Sequence, residues 1–412
     1  MKRAMQMAAW MCLVAGFLSQ WKLEAADTAT APTAEAEAKR LRAQKYLEQE
    51  VEEARGLKFL KPVAYRSMKS AEFRPFLVKK IRQQYTPAQM RDYSRSLAMV
   101  GLLPEGTDFE AQMMEVMDEQ VAAFYDQDKA ELYTFTDSPL TSNLRRMIVV
   151  HEVTHALQDQ HFHIRKWPLK RKDNDDLVAA HMALLEGDAT QTMAKVYMRG
   201  LDVGSALTDL IAALAQNTEK FMRAPRYFRD MLLFPYQEGQ GFVVALEQMG
   251  GRELVNRAFE NPPTSTSQVL HPDKFHPRRE DPVAVQPQTR TEAGWRRLAT
   301  NVVGEFGIIV LLRQFGHARD ASEIAAGWRG DRYVAFDTGK GNGLLCWSSQ
   351  WSSPEAARRF VEAYRHVVLK RNAERQPSLR LDARVMDGRV DLTLFVPAVA
   401  ADQQRGKPCE RK

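Results

Sequence analysis

Apolar positions recur at helical spacing over long stretches of this chain and alternate at strand spacing in only a few short ones. From about Glu35 to Arg55 the residues are mainly Ala, Glu, Lys, Arg and Leu. That composition predicts an exposed helix, stopped near Gly56. Residues 71–100 read as helical and end at "GLLPEGTD", and "FEAQMMEVMDEQ" adds a further amphipathic helix. The texture then changes. "VAAFY" and "ELYTF" are short aromatic runs flanking "DQDKA", which predicts a β-hairpin over residues 121–135. "NLRRMIVVHEVTHALQDQ" returns to helix, and residues 175–260 are mostly helical.

Residues 261–282, "NPPTSTSQVLHPDKFHPRREDP", form a long Pro-rich, irregular segment that suits a boundary, a surface loop or a cleft wall. Beyond it the pattern predicts a smaller α+β unit. A helix at "NVVGEFGIIVLLRQF" precedes strands at "RYVAF" and "GLLCW". Ser353 is placed to cap a helix beginning at Pro354, and "ARVMDGRVDLTLFV" reads as a hairpin turning at Asp387-Gly388. The expected fold class is therefore α+β and predominantly helical. The expected organisation is a flexible leader and exposed helix over 26–60, a main domain over 61–282 and a C-terminal α+β unit over 283–412.

The first 25 residues stand apart from this pattern. Met1-Lys2-Arg3 precedes the apolar run "AMQMAAWMCLVAGFL", which is shorter than the roughly 20 residues needed to cross a bilayer, and "LEAADTATAP" offers small residues for cleavage. A signal peptide over 1–25 is expected. It implies export to the periplasm or beyond, with no stable membrane span left after processing. Removing residues 1–25 takes away Lys2, Arg3, Lys22 and Glu24 and lowers the formal charge from +6 to +4. So mild a charge gives no support for nucleic-acid binding. Cys346 and Cys409 are the cysteines that remain; they could form one disulfide, but they are no disulfide framework.

Candidate chemistry concentrates in "MIVVHEVTHALQDQHF" (147–162). On a helix His151 and His155 are one turn apart and about 40° round, so both imidazoles can face one Zn²⁺. Glu152, rotated about 100°, is better placed to hydrogen-bond a metal-bound water than to ligate the ion. Two ligands and a proton-accepting carboxylate are the division of labour in His-Glu-x-x-His metalloproteases.

Three residues compete to be the third protein ligand. His161 has the spacing of a metzincin's third histidine, but Gln158 stands where that motif needs glycine, so the helix should run on and carry His161 away. His163 has no motif behind it. Glu186, in the apolar helical stretch "AHMALLEGDAT", is costly to bury unless paired or bound to metal, and it leads. His181 lies about 140° round the same helix and would not share the ion. Asp159, one turn beyond His155, is a candidate to orient that imidazole.

His151-Glu152-Val153-Thr154-His155 with a glutamate on a following helix resembles the gluzincin branch of zinc metallopeptidases, over roughly residues 115–190. "HEVTHALQDQHF" with "EGDA" also resembles a group of exported bacterial proteins carrying this motif. The resemblance implies a zincin-like metallopeptidase core and a zinc-dependent peptidase acting on peptide or protein substrates. It also implies His151, His155 and Glu186 as ligands and Glu152 as base. One departure stands out: many gluzincins have an aspartate four residues after the ligand glutamate, and Thr190 holds that place here. In such enzymes an edge strand beside the metal commonly binds the peptide, and the 121–135 hairpin is the natural candidate.

Hydrolysis also needs a donor for the developing oxyanion. Tyr236 and His271 are the candidates, with His271 taken as the catalytic choice because it lies in the irregular segment. Glu238 and Glu305 are acids in apolar surroundings that suit salt-bridged core positions. A competing reading is a catalytically silent zincin fold used for binding or envelope assembly. An intact Glu152 speaks against it, because a structural zinc needs no general base.

Overall fold

The computed structural model describes residues 34–117, 123–137, 142–200, 218–289, 292–373, 375 and 377–398. The expected signal peptide, the first part of the leader, residues 121–122 of the hairpin and Cys409 lie outside these residues. Among the described residues the fold is α+β, with helices predominating and two sheets.

Helix α1 (Ala34–Arg55) ends where Gly56 turns left-handed, with φ of 76°. It is not exposed throughout, as its composition suggested. Val51, Ala54 and Arg55 are buried, because the positions one and two turns from Leu47 form a stripe against the helices behind. After strand β1 (Ala64–Met68), the predicted helical stretch 71–100 is two helices, α2 (Ser70–Gln84) and α3 (Pro87–Val100). Thr86 makes the break. Its Oγ1 accepts from Gln89 N at 3.2 Å and its N donates to Gln89 Oε1 at 3.1 Å, a capping box with Pro87 as the first helical residue.

Helix α4 (Phe109–Met117) leads to the hairpin of β2 (Ala123–Asp126) and β3 (Glu131–Phe135). β1 joins β3 in parallel to give a sheet of order β1-β3-β2. β1 escaped the sequence reading because "AYRSM" shows no alternation: its burial runs exposed, half-buried, exposed, exposed, buried. Next come α5 (Ser142–Phe162), α6 (Asp175–Gly200), α7 (Thr218–Arg223) and α8 (Arg226–Glu260), the last broken at Gly250-Gly251. The irregular segment that follows contains a short α-helix, α9 (Thr266–Leu270), capped by Ser265, and a 3₁₀ turn at Pro272–Lys274.

The C-terminal part holds β4 (Arg296–Asn301), α10 (Gly304–Gln314), α11 (Ala321–Ala325), β5 (Trp328–Gly339), β6 (Asn342–Trp351), α12 (Pro354–Ala373), β7 (Arg380–Met386) and β8 (Arg389–Val396). Its sheet is antiparallel throughout, in the order β4-β5-β6-β8-β7. Ser353 Oγ caps α12 by accepting from Ala356 N at 3.1 Å, and Asp387 and Gly388 turn the last hairpin with φ of 50° and 78°. Cys346 is a buried free thiol in this sheet.

Two features fix α6. Its N-terminus is tied down twice: Asp175 N donates to Asn301 Oδ1 of the C-terminal part at 2.8 Å, and Asp176 accepts from Thr266 N of α9 at 3.1 Å. Its middle lies against α8 with no side chain between them. A Cβ on Gly187 would stand 2.2 Å from the carbonyl carbon of Gly239, and one on Gly239 would stand 2.1 Å from the oxygen of Ala183. The largest apolar cluster runs from α3, α6 and α8 into α10, α12 and the five-stranded sheet, while a second cluster joins α1, α5 and the small sheet. α5 and α6 meet between the two.

Candidate metal centre

Every atom of interest sits where α5 crosses α6 beside α8. One helical turn aligns His151 and His155, and the close contact of Gly187 with Gly239 holds Glu186 opposite them. His151 Nε2 lies 2.9 Å from Glu186 Oε2, His155 Nε2 lies 3.4 Å from the same oxygen, and the two Nε2 atoms are 3.1 Å apart. Among the described residues, this is the one group of three His, Cys, Asp or Glu side chains whose ligand atoms lie within 4.8 Å of one another. All three residues are buried. Tetrahedral zinc with bonds of about 2.0–2.1 Å separates its ligands by about 3.3 Å, so this triangle fits such an ion. The group can hold a metal ion.

Unspent polar atoms support the same conclusion. Glu186 Oε1, Glu152 Oε1 and His151 Nδ1 are buried with no hydrogen-bond partner among the described residues. Buried carboxylates of that kind are costly unless a cation compensates them. Glu152 is held from its other side, where Tyr125 N of β2 donates to Oε2 at 2.8 Å. β2 is the outer strand of its sheet, yet all four of its residues are buried. The stretch of edge beside Glu152 therefore positions that carboxylate and is not free for a peptide.

Burial pushes Glu152 up to about 8. Burial also holds His151 below the ordinary imidazole value. At His155 burial acts in the same direction, but the Glu186 carboxylate outweighs it and raises the imidazole to about 9. Glu186 is drawn down to about 2, against its own burial, by His155 and His151. Without metal, a proton on His155 occupies the place of a cation.

Sequence reasoning missed the support of His155. Asp159 does not orient it. Asp159 instead accepts from Tyr125 Oη at 2.9 Å. Gln158 does so instead: its Oε1 lies 2.8 Å from His155 Nδ1, while its Nε2 donates to Leu185 O at 3.1 Å and Asp188 Oδ2 at 2.9 Å. The amide oxygen can only accept, so Nδ1 carries a hydrogen and Nε2 is the nitrogen turned to the group, its lone pair available once its own proton leaves. Asp188 is fixed in turn by Arg55 Nε at 2.8 Å. This route replaces the aspartate expected at position 190, where Thr190 Oγ1 is buried without a partner. The signal available in advance was the Gln158 that excludes a metzincin turn.

The remaining candidates are placed as follows. His161 Nε2 lies 2.7 Å from Lys58 O at the helix end, His163 is exposed in a left-handed turn, and His181 Nδ1 donates to Leu177 O at 2.9 Å. Tyr236 is buried with its ring centroid 6.0 Å from that of His151. His271 is not brought to the group: its Nε2 lies 2.6 Å from Glu305 Oε1, with Lys274 Nζ 3.6 Å from Oε2. Glu305 is thus the salt-bridged core acid its setting suggested.

The fold and site define an α+β protein with a buried His-His-Glu group able to hold a metal ion. Residues 289–399 match a domain of unknown function, DUF8575, which covers the C-terminal sheet and leaves α5 and α6 outside it. No curated protein matches the chain. A protein from Chloroflexus aurantiacus, whose crystal structure is described as a novel fold with a proposed hydrolase function, is similar over 66% of this chain and 96% of its own. The identity is 20% and the TM-score 0.38. A likeness of that degree assigns neither fold nor activity. No described helix is long and apolar enough to cross a membrane.

Proposed function

We propose that the chain is an exported, zinc-dependent peptidase with a zincin-like core, in which His151, His155 and Glu186 would hold the ion. One observation carries the reading: two imidazole Nε2 atoms and a carboxylate oxygen converge in a buried place, with a second carboxylate, Glu152, beside them and outside their hydrogen bonds. A site that served structure alone would have no use for that fourth group. Two nitrogens and an oxygen suit zinc better than magnesium or calcium.

Zinc, when bound, polarises a carbonyl and lowers the pKa of water. Glu152 accepts the proton of the attacking water through its unclaimed Oε1 and hands it to the leaving nitrogen. Tyr125 N keeps that carboxylate aimed, and Gln158 keeps His155 in the tautomer that leaves Nε2 free. Tyr236, with its ring next to His151, is our choice to donate to the developing oxyanion.

The test is zinc content and peptide cleavage measured on the same preparations of the parent and Glu152→Gln. The variant should keep its metal and lose about 10²–10⁴-fold in cleavage. A zinc-loaded parent that cleaves nothing, or a Glu152→Gln variant as fast as the parent, would refute the mechanism in favour of a binding module. Material recovered outside the cytoplasm should begin near Ala26; an intact Met1 there would contradict the signal peptide.

A further inference from the structure

The cavity that reaches the metal centre bears on which substrates it takes, an inference that rests on the hydrolytic reading above. A cavity of about 200 Å³ lies along α6 and α8 and includes Glu186 and Tyr236 in its lining. On α6 the lining runs from Asp175 through Val178, Ala179 and Met182 to Glu186. At 1.5 Å per residue that is a length of about 16 Å. The lining thus starts at a metal ligand and extends away from it along the helix.

Its chemistry is apolar. Met90, Met113, Met182, Met231, Phe109 and Phe228 all face it, and four thioether side chains can mould to a flexible guest. Away from Glu186, most of the charged and hydroxyl groups on its wall are engaged with one another or with neighbours. Tyr93 Oη donates to Asp175 Oδ2 at 2.6 Å and lies 3.2 Å from Tyr227 Oη, while Lys80 pairs with Asp126 and Arg171 with Asp173. A peptide backbone threaded here would bury amides without partners. A hydrocarbon chain would bury none. An apolar cavity of about 150 Å³ holds a six-carbon benzene, so this one matches a chain of about eight carbons.

We propose that the channel takes an unbranched acyl chain of that length, and that the substrates are peptides or amines carrying it on the amide to be cleaved. Hydrolysis breaks the acyl carbon–nitrogen bond. The hydroxyl of water goes to the carbon and its proton to the nitrogen, with no further reactant.

The experiment uses zinc-loaded mature protein and one peptide capped by acyl groups from acetyl to dodecanoyl, with acetylated peptides bearing Phe or Leu beside the scissile bond as a second arm. kcat/KM should rise roughly fourfold per methylene up to about octanoyl and then level off. Ala179→Phe, which narrows the channel midway, should flatten that rise. Hydrolysis that is indifferent to chain length, or that favours Phe and Leu over every acyl cap, overturns the proposal and leaves the peptidase reading intact. If nothing is hydrolysed, the peptidase reading fails, and calorimetric binding of the octanoyl against the acetyl peptide decides the channel. Tighter octanoyl binding supports it and equal binding overturns it. The same binding comparison serves if Ala179→Phe does not fold.

Discussion

Gln158→Leu is the substitution that tests how this centre is built. The side chain keeps its size and loses every polar atom. His155 Nδ1 then has no acceptor, so nothing selects the tautomer that presents a bare Nε2, and the ring is free to turn. Outer hydrogen bonds of this kind are worth about 10–100-fold in metal affinity, or about 1.4–2.7 kcal/mol. The metal-free fold should suffer as well. Leu185 O and Asp188 Oδ2 each lose a donor, although Arg55 still reaches Asp188, so a cost of about 1–3 kcal/mol is expected. Competition titration of zinc against a chromophoric chelator gives the first quantity and urea unfolding of the metal-free protein the second. His161→Ala is the control, since His161 bonds only the backbone at Lys58 and should leave affinity unchanged. An affinity for Gln158→Leu within threefold of the parent, with His161→Ala the damaging variant, would refute the reasoning and favour metzincin-like ligation.

The other predictions follow from the same geometry. The Glu186 carboxylate raises His155 above the ordinary imidazole value in the metal-free protein, so at pH 7 this ligand carries a proton that zinc must displace. Raising the pH from 6 therefore tightens binding, by up to about tenfold per unit while His155 remains protonated. Calorimetry in buffers of different ionisation enthalpy should find about one proton released per zinc at pH 7; an affinity that is flat between pH 6 and 8 would contradict this. Gly239→Ala puts a Cβ 2.1 Å from Ala183 O and should cost about 1–3 kcal/mol by forcing α6 and α8 apart, visible as a lower Tm. Gly241→Ala, two residues on and with nothing within 4 Å, should gain about 0.5–1 kcal/mol; equal effects at the two positions would sink the close-contact argument.

By itself the sequence determined the local features, because they depend on residues near one another. The helix carrying His151 and His155, the cap at Ser353 and the turn at Asp387-Gly388 follow from spacing and backbone preference, and all stand in the structure. Glu186 was legible for a related reason: a lone acid in an apolar helix demands compensation wherever it lies. Tertiary structure decided what required distant elements to meet. β1 and β4 show no alternation and exist through the strands they pair with. The chain of Arg55, Asp188, Gln158 and His155 joins three helices, and its first three members look like ordinary surface residues until burial makes each hydrogen bond obligatory. His271 looked free in an irregular segment, and what it faces, Glu305, was decided by how that segment packs on α10. The glycine after Glu186 belongs to the same class. Its meaning is a helix crossing, and a crossing is set by the partner helix.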